Sequence, residues 1–274
     1  MIKKVISKTL IYAILILGSI ITIVPFAWMI STSLKPAHEV MMMPPVWIPS
    51  EIMWENYVRA MEMAPFLRYA INSVIVTVSV TALELITTIL AAFAFSKMRF
   101  YGRDILFAVL IATIMIPGEV LLIPNFVTLS NLGWIDTYKA LIIPWTASVF
   151  AIFLMRQFFL GIPDELAYAA KIDGCSDFKF LWLIMVPLLK PALVTIALLK
   201  IVGSWNAFLW PLIMTNSAEM RTLPVGLSAF SSEAGIIFEL LMAGSAMIIL
   251  PIIIVYIFLQ KYIVQGVARA GIKG

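Results

Sequence analysis

The sequence predicts an all-α integral membrane protein with six transmembrane helices. Of its 274 residues, 62% are hydrophobic and 12% are charged, and the mean hydropathy is +1.04. A soluble domain is about 45–50% apolar and about 25% charged. The apolar residues come in runs of roughly 20, the length at which a helix crosses about 30 Å of hydrocarbon. Strands of a membrane barrel would instead alternate over segments of about ten residues, and this sequence does not alternate in that way.

Stretches that are poor in charge place the spans within a single transmembrane domain, residues 1–274. The first span follows the N-terminal MIKK. We predict a retained helix there, because the apolar run is long for a signal peptide and no small-residue cleavage site follows it. The six predicted spans are 9–30, 70–95, 105–124, 140–160, 188–213 and 236–260.

The distribution of basic residues predicts the orientation in the membrane. Thirteen Lys and Arg lie in the segments on the side of the two termini, and five lie on the opposite side. Cytoplasmic segments carry the excess of positive charge. Both termini and residues 161–190 are therefore predicted to be cytoplasmic, and residues 31–69 form the largest external segment. That segment is rich in Pro, Met and Trp and suits a lid or docking surface along the membrane interface.

Composition argues against several kinds of chemistry in this chain. Cys175 is the only cysteine and His38 the only histidine, so neither an intramolecular disulfide nor a Cys/His metal site is expected. A dispersed net charge of +4 does not favour nucleic acid. The sequence has no phosphate-binding loop of the form G-x-x-x-x-G-K-[ST], and it has no constellation of catalytic side chains. We therefore expect no enzymatic activity, metal or cofactor in this chain.

The predicted cytoplasmic segment 161–190 has the pattern of a helix, a tight turn and a second helix. Pro163 suits a first helical turn, and Glu165 is favourable beside the positive end of the helix dipole. Gly174 can take the left-handed conformation that ends a helix, and Ser176 can cap the next helix. These residues leave two interpretations open, a docking surface for a protein partner or an amphipathic loop on lipid headgroups.

The spacing in this segment resembles the signature loop of ABC importer permeases: E-A-A, three residues, G, and about a dozen residues to a Pro. Other stretches resemble the carbohydrate branch of that family, which includes the maltose-type and glycerol-3-phosphate-type six-span permeases. They include STSLKP after the first span, MIPGEVLLIPNF, GSWNAFLWPLIMTN and the C-terminal QKYIVQGVARAGIKG. The residues that match the signature are Ala169, Ala170, Asp173, Gly174, Pro187 and Pro191.

The resemblance implies a permease subunit of an ATP-driven ABC importer, which moves a sugar or related polar solute into the cell by alternating access. It implies a second permease subunit, an ATPase dimer that binds ATP and Mg, and an extracellular or periplasmic solute-binding protein. It further implies a lipid-embedded, multi-pass location in the bacterial plasma (inner) membrane. Residues 161–190 would form a coupling helix in a cleft of the ATPase, where Ala169, Ala170 and Gly174 permit close approach. The tail from Gln265 would reach between the ATPase subunits.

One position departs from the family pattern. Tyr168 stands where the signature has Glu, and in the family that Glu pairs with a basic residue of the ATPase. Glu165 lies three residues earlier, on the same face of a helix. We predict that Glu165 partly replaces the lost ion pair. The candidate coupling residues are Glu165, Tyr168, Ala169, Ala170, Asp173 and Gly174.

A polar stripe in the second span marks a candidate solute pathway. Thr77, Thr81, Glu84 and Thr88 follow the spacing i, i+4, i+7 and i+11, which places them on one side of a helix. A carboxylate that faces lipid is costly, so the stripe should face the interior of the bundle. Lys200 in the fifth span also needs compensation for its charge. Glu84 either pairs with Lys200, or each residue meets water or a neighbouring subunit separately.

Three further residues are candidates for the pathway. Glu119 follows Pro117 and Gly118, which can break a helix, so it belongs either to a gate or to a helix end at the headgroups. Trp205 and Asn206 offer the flat apolar face and the directed hydrogen bonds that a sugar requires. Aromatic residues in membrane spans also serve in packing, and that interpretation stays open.

A second function class is compatible with the same residues. In a secondary carrier driven by an ion gradient, Glu84 and Lys200 would relay protons or ions. A dependence of transport on ATP distinguishes the two classes. A membrane-embedded enzyme ranks behind both, since the sequence has no nucleophile or metal-binding set.

Overall fold

The structure is a computed structural model that describes residues 2–232 and 235–271, with side chains described for 8–231 and 235–261. Nearly all of its regular structure is helical. The first α-helices are α1 (Ile2–Ser33), α2 (Ala37–Val40), α3 (Glu55–Met63), α4 (Phe66–Lys97), α5 (Arg103–Thr113), α6 (Leu122–Asn131), α7 (Tyr138–Ile142) and α8 (Val149–Leu160). The remaining α-helices are α9 (Asp164–Ile172), α10 (Asp177–Phe180), α11 (Val186–Leu188), α12 (Lys190–Trp205), α13 (Leu209–Met214), α14 (Leu223–Gly226) and α15 (Phe238–Gly271).

Short elements join these helices. Two strands, β1 (Ser231–Ser232) and β2 (Gly235–Ile236), pair antiparallel, with Ser231 opposite Ile236. Residues Leu181–Met185 form a π-helical turn between α10 and α11. The 3₁₀ turns are Gly118–Leu121, Ile143–Trp145, Ala218–Met220 and Leu227–Phe230.

Four helical stretches in the described part of the chain are long and apolar enough to cross a membrane, and there are six if two bent pairs each count as one span. The four are Lys8–Ser33, Phe66–Lys97, Tyr138–Leu160 and Phe238–Lys261. The bent pairs are Arg103–Thr113 with Gly118–Asn131, at 89°, and Asp177–Leu188 with Lys190–Trp205, at 81°. All six predicted spans overlap one of these helices or pairs.

The predicted third span, 105–124, falls on the first of these bent pairs. Helix α5 ends at Thr113, and the chain turns by 89° before it continues as the turn Gly118–Leu121 and α6. Pro117 explains where the helix ends. A proline ring clashes with the carbonyl group four residues earlier, which here belongs to Thr113.

The predicted fifth span, 188–213, falls on more than one helix. Helix α12 ends at Trp205, and α13 begins at Leu209. Pro211 has no N–H to donate to the carbonyl of residue 207, so an α-helix cannot run through this point undisturbed. The start of the span is broken as well, because α11 ends at Leu188 and the chain bends by 81° before α12.

One compact unit comprises residues 68–225 and 252–274. At the end of this unit that carries the 161–190 segment, side chains of α4 and α8 pack against residues of that segment. Met155, Phe159 and Met185 are completely buried there. The core residues are Ile89, Ala92, Phe93, Ala151, Met155, Phe159, Ile162, Ala170, Phe180, Leu181, Met185 and Ile196. The segment therefore packs as part of the helical core, in addition to connecting two spans.

The second compact unit comprises residues 1–67 and 226–251. Within it, the rings of Phe66 and Phe230 stack with centroids 5.5 Å apart. A Cβ on Gly244 would lie 2.8 Å from Cε2 of Phe230 and 2.9 Å from Cδ2 of Leu227. Helix α15 can approach these two side chains closely because residue 244 has no side chain.

The segment that follows α1 is fixed by hydrogen bonds within this second unit. The amide of Asn56 donates to the carbonyl oxygens of Ser33 and Lys35, at 3.0 and 2.9 Å. Lys35 is buried, and its ammonium lies 3.7 Å from the ring centroid of Trp28. Burial lowers the pKa of Lys35, although the nearby Glu39 carboxylate opposes the shift. The segment is thus anchored to the end of α1.

Candidate functional site

The 161–190 segment has the helix–turn–helix geometry that the sequence predicts. Helix α9 ends in a Schellman motif, in which the amide of Cys175 donates to the carbonyl of Ala170 at 2.8 Å and that of Gly174 to Lys171 at 3.0 Å. Gly174 has a φ of +73°, the left-handed conformation expected of it. The hydroxyl of Ser176 accepts from the amide of Lys179 at 3.4 Å and caps α10. The local predictions for Gly174 and Ser176 are therefore confirmed.

The candidate coupling residues divide between two faces of α9. Glu165, Tyr168, Ala169, Asp173 and Gly174 are exposed in the chain as described. Ala170 points the other way and packs in the core of this chain. The expectation that Ala170 presents a small surface to a partner is therefore corrected.

Sequence reasoning missed Ile172 on the exposed side. Its side chain is 87% exposed at the end of α9. An aliphatic side chain in that position is unfavourable in water and favourable in a protein interface. The signal was present in the sequence, since Ile172 is the apolar residue between Lys171 and Asp173.

Hydrogen bonds tie the start of the segment to the end of α4. The ammonium of Lys97 donates to the carbonyl of Ile162 at 2.8 Å and to Oδ1 of Asp164 at 2.6 Å. The hydrogen bond and charge of Lys97 lower the pKa of Asp164. The guanidinium of Arg156 donates to the carbonyl of Phe95 at 3.0 Å, which adds a second tie between α8 and α4. A displacement of the segment would therefore act on α4.

Glu84 of α4 and Lys200 of α12 form an ion pair inside the bundle. The ammonium of Lys200 lies 2.5 Å from Oε2 of Glu84, and the Glu84 side chain is 5% exposed. This contact is a charge interaction without the alignment of a hydrogen bond, since Oε2 has no hydrogen-bond partner among the described residues. Of the two arrangements that the sequence left open, the structure has the pair.

The rest of the polar stripe on α4 also faces the interior of this chain. Thr77, Thr81 and Thr88 are all buried beside Glu84, which confirms the expectation for the stripe. Their hydroxyl oxygens have no hydrogen-bond partner in the part of the chain that the structure describes. A polar atom that is buried without a partner is costly to the folded state.

A cavity of about 400 Å³ lies between α4, α12 and the helices around them. The rings of Trp145 and Trp210 meet edge to face in its wall, with centroids 5.4 Å apart. The ammonium of Lys200 lies 5.7 Å from the ring centroid of Trp145. Lys200 and Glu84 also line a second cavity of about 180 Å³. The residues of the larger cavity with functional interest are Trp145, Lys200, Ser204, Phe208, Trp210 and Thr222.

The other predicted pathway residues lie elsewhere. Glu119 is exposed in the 3₁₀ turn that follows Pro117. Trp205 is buried at the end of α12, and the Asn206 amide donates to the carbonyl of Val202 at 3.0 Å. Glu119, Trp205 and Asn206 are not among the described residues that line the 400 Å³ cavity. The structure brings Glu84 and Lys200 together but does not add Glu119, Trp205 or Asn206 to them.

Residues near the start of α4 position part of the cavity wall, and sequence reasoning did not single them out. The amide of the buried Asn72 donates to the carbonyls of Glu219 and Arg221, at 2.7 and 2.8 Å. The hydroxyl of Tyr138 donates to Oδ1 of Asn72 at 2.6 Å. These bonds fix the 3₁₀ turn Ala218–Met220 and Arg221, which lead into Thr222. Trp145 was also missed, although its place after a proline near a span end set it apart from simple packing residues.

Comparison with known proteins gives a consistent set of relatives. Residues 84–269 match the family described as "Binding-protein-dependent transport system inner membrane component". The chain is 35% identical over 257 residues to the arabinooligosaccharides transport system permease protein AraQ of Halalkalibacterium halodurans, covering 93% of this chain and 92% of that protein. It is 32% identical to the sn-glycerol-3-phosphate transport system permease protein UgpE of Brucella abortus, covering 97% and 98%.

A solved structure shares the fold. The crystal structure of a bacterial ABC transporter involved in the import of the acidic polysaccharide alginate contains a chain that superposes with a TM-score of 0.82. The two chains are 28% identical, and the match covers 93% of this chain and 96% of that one.

Membrane-length helices and an exposed helix–turn–helix segment define the class of this protein, a permease subunit of the ABC importer type. The chain belongs to the family of binding-protein-dependent transport system inner membrane components. It is a helical protein of the inner membrane and a transport permease, and permeases of this kind act with an ATPase and a solute-binding protein. The resemblance noted in the sequence is thereby confirmed.

Proposed function

We propose that this chain is one of two permease subunits of an importer that moves a sugar or related polar solute into the cell. A dimer of ATPase subunits binds ATP and Mg and drives the cycle, and an external binding protein delivers the solute. Both termini and residues 161–190 face the cytoplasm. Similarity to the arabinooligosaccharides permease AraQ and to the alginate importer supports a carbohydrate as the solute.

The exposed face of α9 is the observation that carries this proposal. Glu165, Tyr168, Ile172 and Gly174 lie on the solvent side of a segment whose other side is built into the core. An exposed surface with an aromatic, an aliphatic and an acidic side chain has the composition of a docking site. We assign this face to contact with the ATPase.

The internal contacts supply a path for the movement. The 161–190 segment is tied to α4 through Lys97 and leads directly into α12. The same two helices are joined within the bundle by Glu84 and Lys200. Closure of the ATPases would then move α4 and α12 together, as a rigid-body switch between inward-open and outward-open states.

The test is the ATPase activity of the complete reconstituted complex with its binding protein, measured against a panel of solutes. The panel contains maltotriose, arabinotriose, glycerol, sn-glycerol 3-phosphate and alginate trisaccharide. We expect stimulation of hydrolysis by a cognate carbohydrate and by no unrelated solute. The assignment to carbohydrate import would be overturned if no carbohydrate stimulated ATP hydrolysis and a solute of another class did.

A further inference from the structure

A polar cleft lies where the end of α4 and the turn 98–102 meet α9. Its volume is about 690 Å³, and it shares no described lining residue with the 400 Å³ cavity between α4 and α12. Its charged lining residues are Lys97, Arg99, Arg103, Asp164, Lys171 and Asp177. Charged side chains from α4, α5, α9 and α10 therefore meet in one place.

Most of these charges are paired within the chain. The pairs are Lys97 with Asp164 at 2.6 Å, Arg103 with Asp104 at 3.0 Å, and Lys171 with Asp177 at 3.9 Å. Arg99 has no salt bridge and no hydrogen bond among the described residues. The polar cleft therefore keeps one positive charge, on Arg99, that the described part of the chain does not pair.

Arg99 lies at the opening of two cavities. It lines the polar cleft and also a neighbouring cavity of about 460 Å³, whose wall includes Arg103 and Ile105. The turn that carries Arg99 is held by an aromatic contact, because the rings of Phe100 and Phe95 lie 6.0 Å apart. A guanidinium group held in this way can make a bidentate contact with a phosphate.

Arg99 also acts on the start of α9. The hydrogen bond and charge of Lys97 lower the pKa of Asp164, and the charge of Arg99 adds to that effect. Lys171, further along α9, lines the same cleft, and its contact with Asp177 is long and exposed. Such an exposed pair is worth little, so the Lys171 ammonium is available to an anion.

The surface beside the second cavity is apolar and exposed. Tyr101 is completely exposed, and Ile105 and Leu106 are 72% and 53% exposed. These residues follow the end of the membrane-length helix α4 at Lys97. Aromatic and apolar side chains in that position suit the boundary between lipid headgroups and acyl chains. Basic pockets between membrane helices on the cytoplasmic side bind anionic lipid headgroups.

We infer that the polar cleft binds the headgroup phosphate of an anionic phospholipid, with Arg99 as the main cation and Lys171 as the second. This inference rests on the proposed function, which places this end of α4 at the cytoplasmic face. A phosphate between Arg99 and Lys171 adds a tie between the end of α4 and α9, beside that of Lys97 and Asp164. Coupling of ATP hydrolysis to the solute then depends on anionic lipid.

The first experiment measures lipid binding by native mass spectrometry of the intact complex of both permeases and the ATPases. The probes are phosphatidylglycerol and phosphatidylcholine with the same acyl chains. We expect phosphatidylglycerol to bind more tightly. Arg99→Gln should weaken the binding of phosphatidylglycerol alone, by about fivefold, the contribution of one basic residue at an anionic lipid surface.

Two further variants complete the binding experiment. Arg99→Lys keeps the charge without the planar fork and should lose less than Arg99→Gln. Arg59→Gln, at an exposed position of α3 in the other unit, is the matched control and should bind both lipids as the unchanged complex does. Other lipid sites on the complex are common to all variants, so the difference between variants reports on the polar cleft.

The second experiment measures solute-stimulated ATP hydrolysis by the complex and its binding protein in nanodiscs. The nanodiscs contain phosphatidylcholine alone or a mixture with phosphatidylglycerol. We expect phosphatidylglycerol to raise the stimulated rate severalfold in the unchanged complex and in Arg59→Gln, but little in Arg99→Gln. Inorganic phosphate added to phosphatidylcholine nanodiscs should not replace the anionic lipid. Recovery of the ATPase in a pull-down should be the same in Arg99→Gln.

Several results would overturn the inference. Equal binding of the two lipids would do so, as would unchanged binding of phosphatidylglycerol in Arg99→Gln. Inorganic phosphate that replaces the lipid would assign the cleft to a free anion. Loss of the ATPase from Arg99→Gln without any effect of lipid would assign Arg99 to the ATPase interface. ATP-driven uptake that persists beside these results would leave the proposed function intact, whereas uptake without ATP would contradict that function itself.

Discussion

Glu84 and Lys200 illustrate how single residues define the interior of this bundle. A charge in the hydrocarbon region is costly, and the cost falls when an opposite charge lies in contact. The 2.5 Å separation provides that contact. Removal of one partner from a buried pair typically costs about 3–5 kcal/mol, because the other charge remains uncompensated. Position in the helix predicted the orientation of Glu84, but the distance to Lys200 depends on how α4 and α12 pack.

Gly174 provides a residue-scale prediction. A Cβ at this position would meet no atom within 4 Å, so the constraint is the φ of +73° alone. A β-branched residue in that conformation is strained, with a cost of about 1–2 kcal/mol for the left-handed geometry. Gly174→Val should abolish most solute-stimulated ATP hydrolysis and uptake by the complex while assembly survives.

Gly174→Asn is the matched control, because Asn tolerates the left-handed region better than other non-glycine residues. It should retain most of the coupling. Equal and normal coupling in both variants would rule out a role for the turn at Gly174.

Glu165 and Tyr168 carry the second residue-scale prediction. Both are exposed and lie three positions apart on α9, so a basic residue of the ATPase can reach either. Truncation of one partner of a buried interface pair costs about 2–5 kcal/mol. Glu165→Ala should therefore reduce the ATPase recovered in a pull-down from detergent extracts, and adding Tyr168→Glu should restore it.

Glu62→Ala removes an exposed acidic residue in the other unit and should have no effect on that pull-down. ATPase recovery that stays the same in Glu165→Ala across a series of salt concentrations would exclude the ion pair. Docking would then rest on shape and on apolar contacts such as Ile172.

At the scale of elements, the sequence predicted helices better than their bends. Runs of about 20 apolar residues identify α1, α4 and α15 because length and hydropathy are properties of the sequence itself. The 89° and 81° bends depend on prolines that a membrane helix can also accommodate with a slight kink. Pro25 and Pro251 lie inside continuous helices. Whether a proline breaks a helix therefore depends on the packing around it, which sequence alone does not specify.

The tie between α4 and α9 gives the element-scale prediction. Lys97→Met removes both hydrogen bonds to Ile162 and Asp164. The ATPase should stay bound, because the exposed face of α9 is unchanged, but solute-stimulated hydrolysis and uptake should fall severalfold. Arg59→Met, at an exposed position of the other unit, is the control and should leave both activities unchanged. Normal uptake in Lys97→Met would show that α4 receives its movement by another route.

The same tie has a defined pH dependence. Lys97 lowers the pKa of the Asp164 carboxyl, so the contribution of the pair is present above the ordinary Asp pKa of about 4. The contribution is lost only as the pH falls through the lowered pKa. Coupling through Lys97 and Asp164 should therefore be the same at pH 5.5 and pH 7.5. Both pH values lie about 1.5 units or more above the ordinary Asp pKa.

At the scale of the whole molecule, hydropathy predicted a helical membrane protein, and the resemblance of the 161–190 segment to the signature loop predicted the class of permease. These features are local in the sequence. They did not reveal the cavity, because Trp145, Lys200 and Thr222 are distant in sequence and meet only in the folded chain. The orientation follows from the bias in basic residues and stays a prediction. Cys175 allows a direct test because it is the only cysteine.

In intact cells, a membrane-impermeant maleimide should leave Cys175 unmodified, whereas inside-out vesicles should be labelled. Cys175→Ser is the control for reaction at other groups. Labelling of position 175 in intact cells would reverse the predicted orientation of the 161–190 segment.

The central claim is that ATP, hydrolysed by partner subunits, drives solute through this permease. The most direct measurement is uptake of a radiolabelled carbohydrate that stimulates hydrolysis, in proteoliposomes that contain the complete complex and its binding protein. Ionophores collapse all ion gradients, and ATP is either enclosed or omitted. We predict accumulation with ATP and no accumulation without it, with no effect of the ionophores. Accumulation that requires an ion gradient and proceeds without ATP would contradict the account and would identify a secondary carrier.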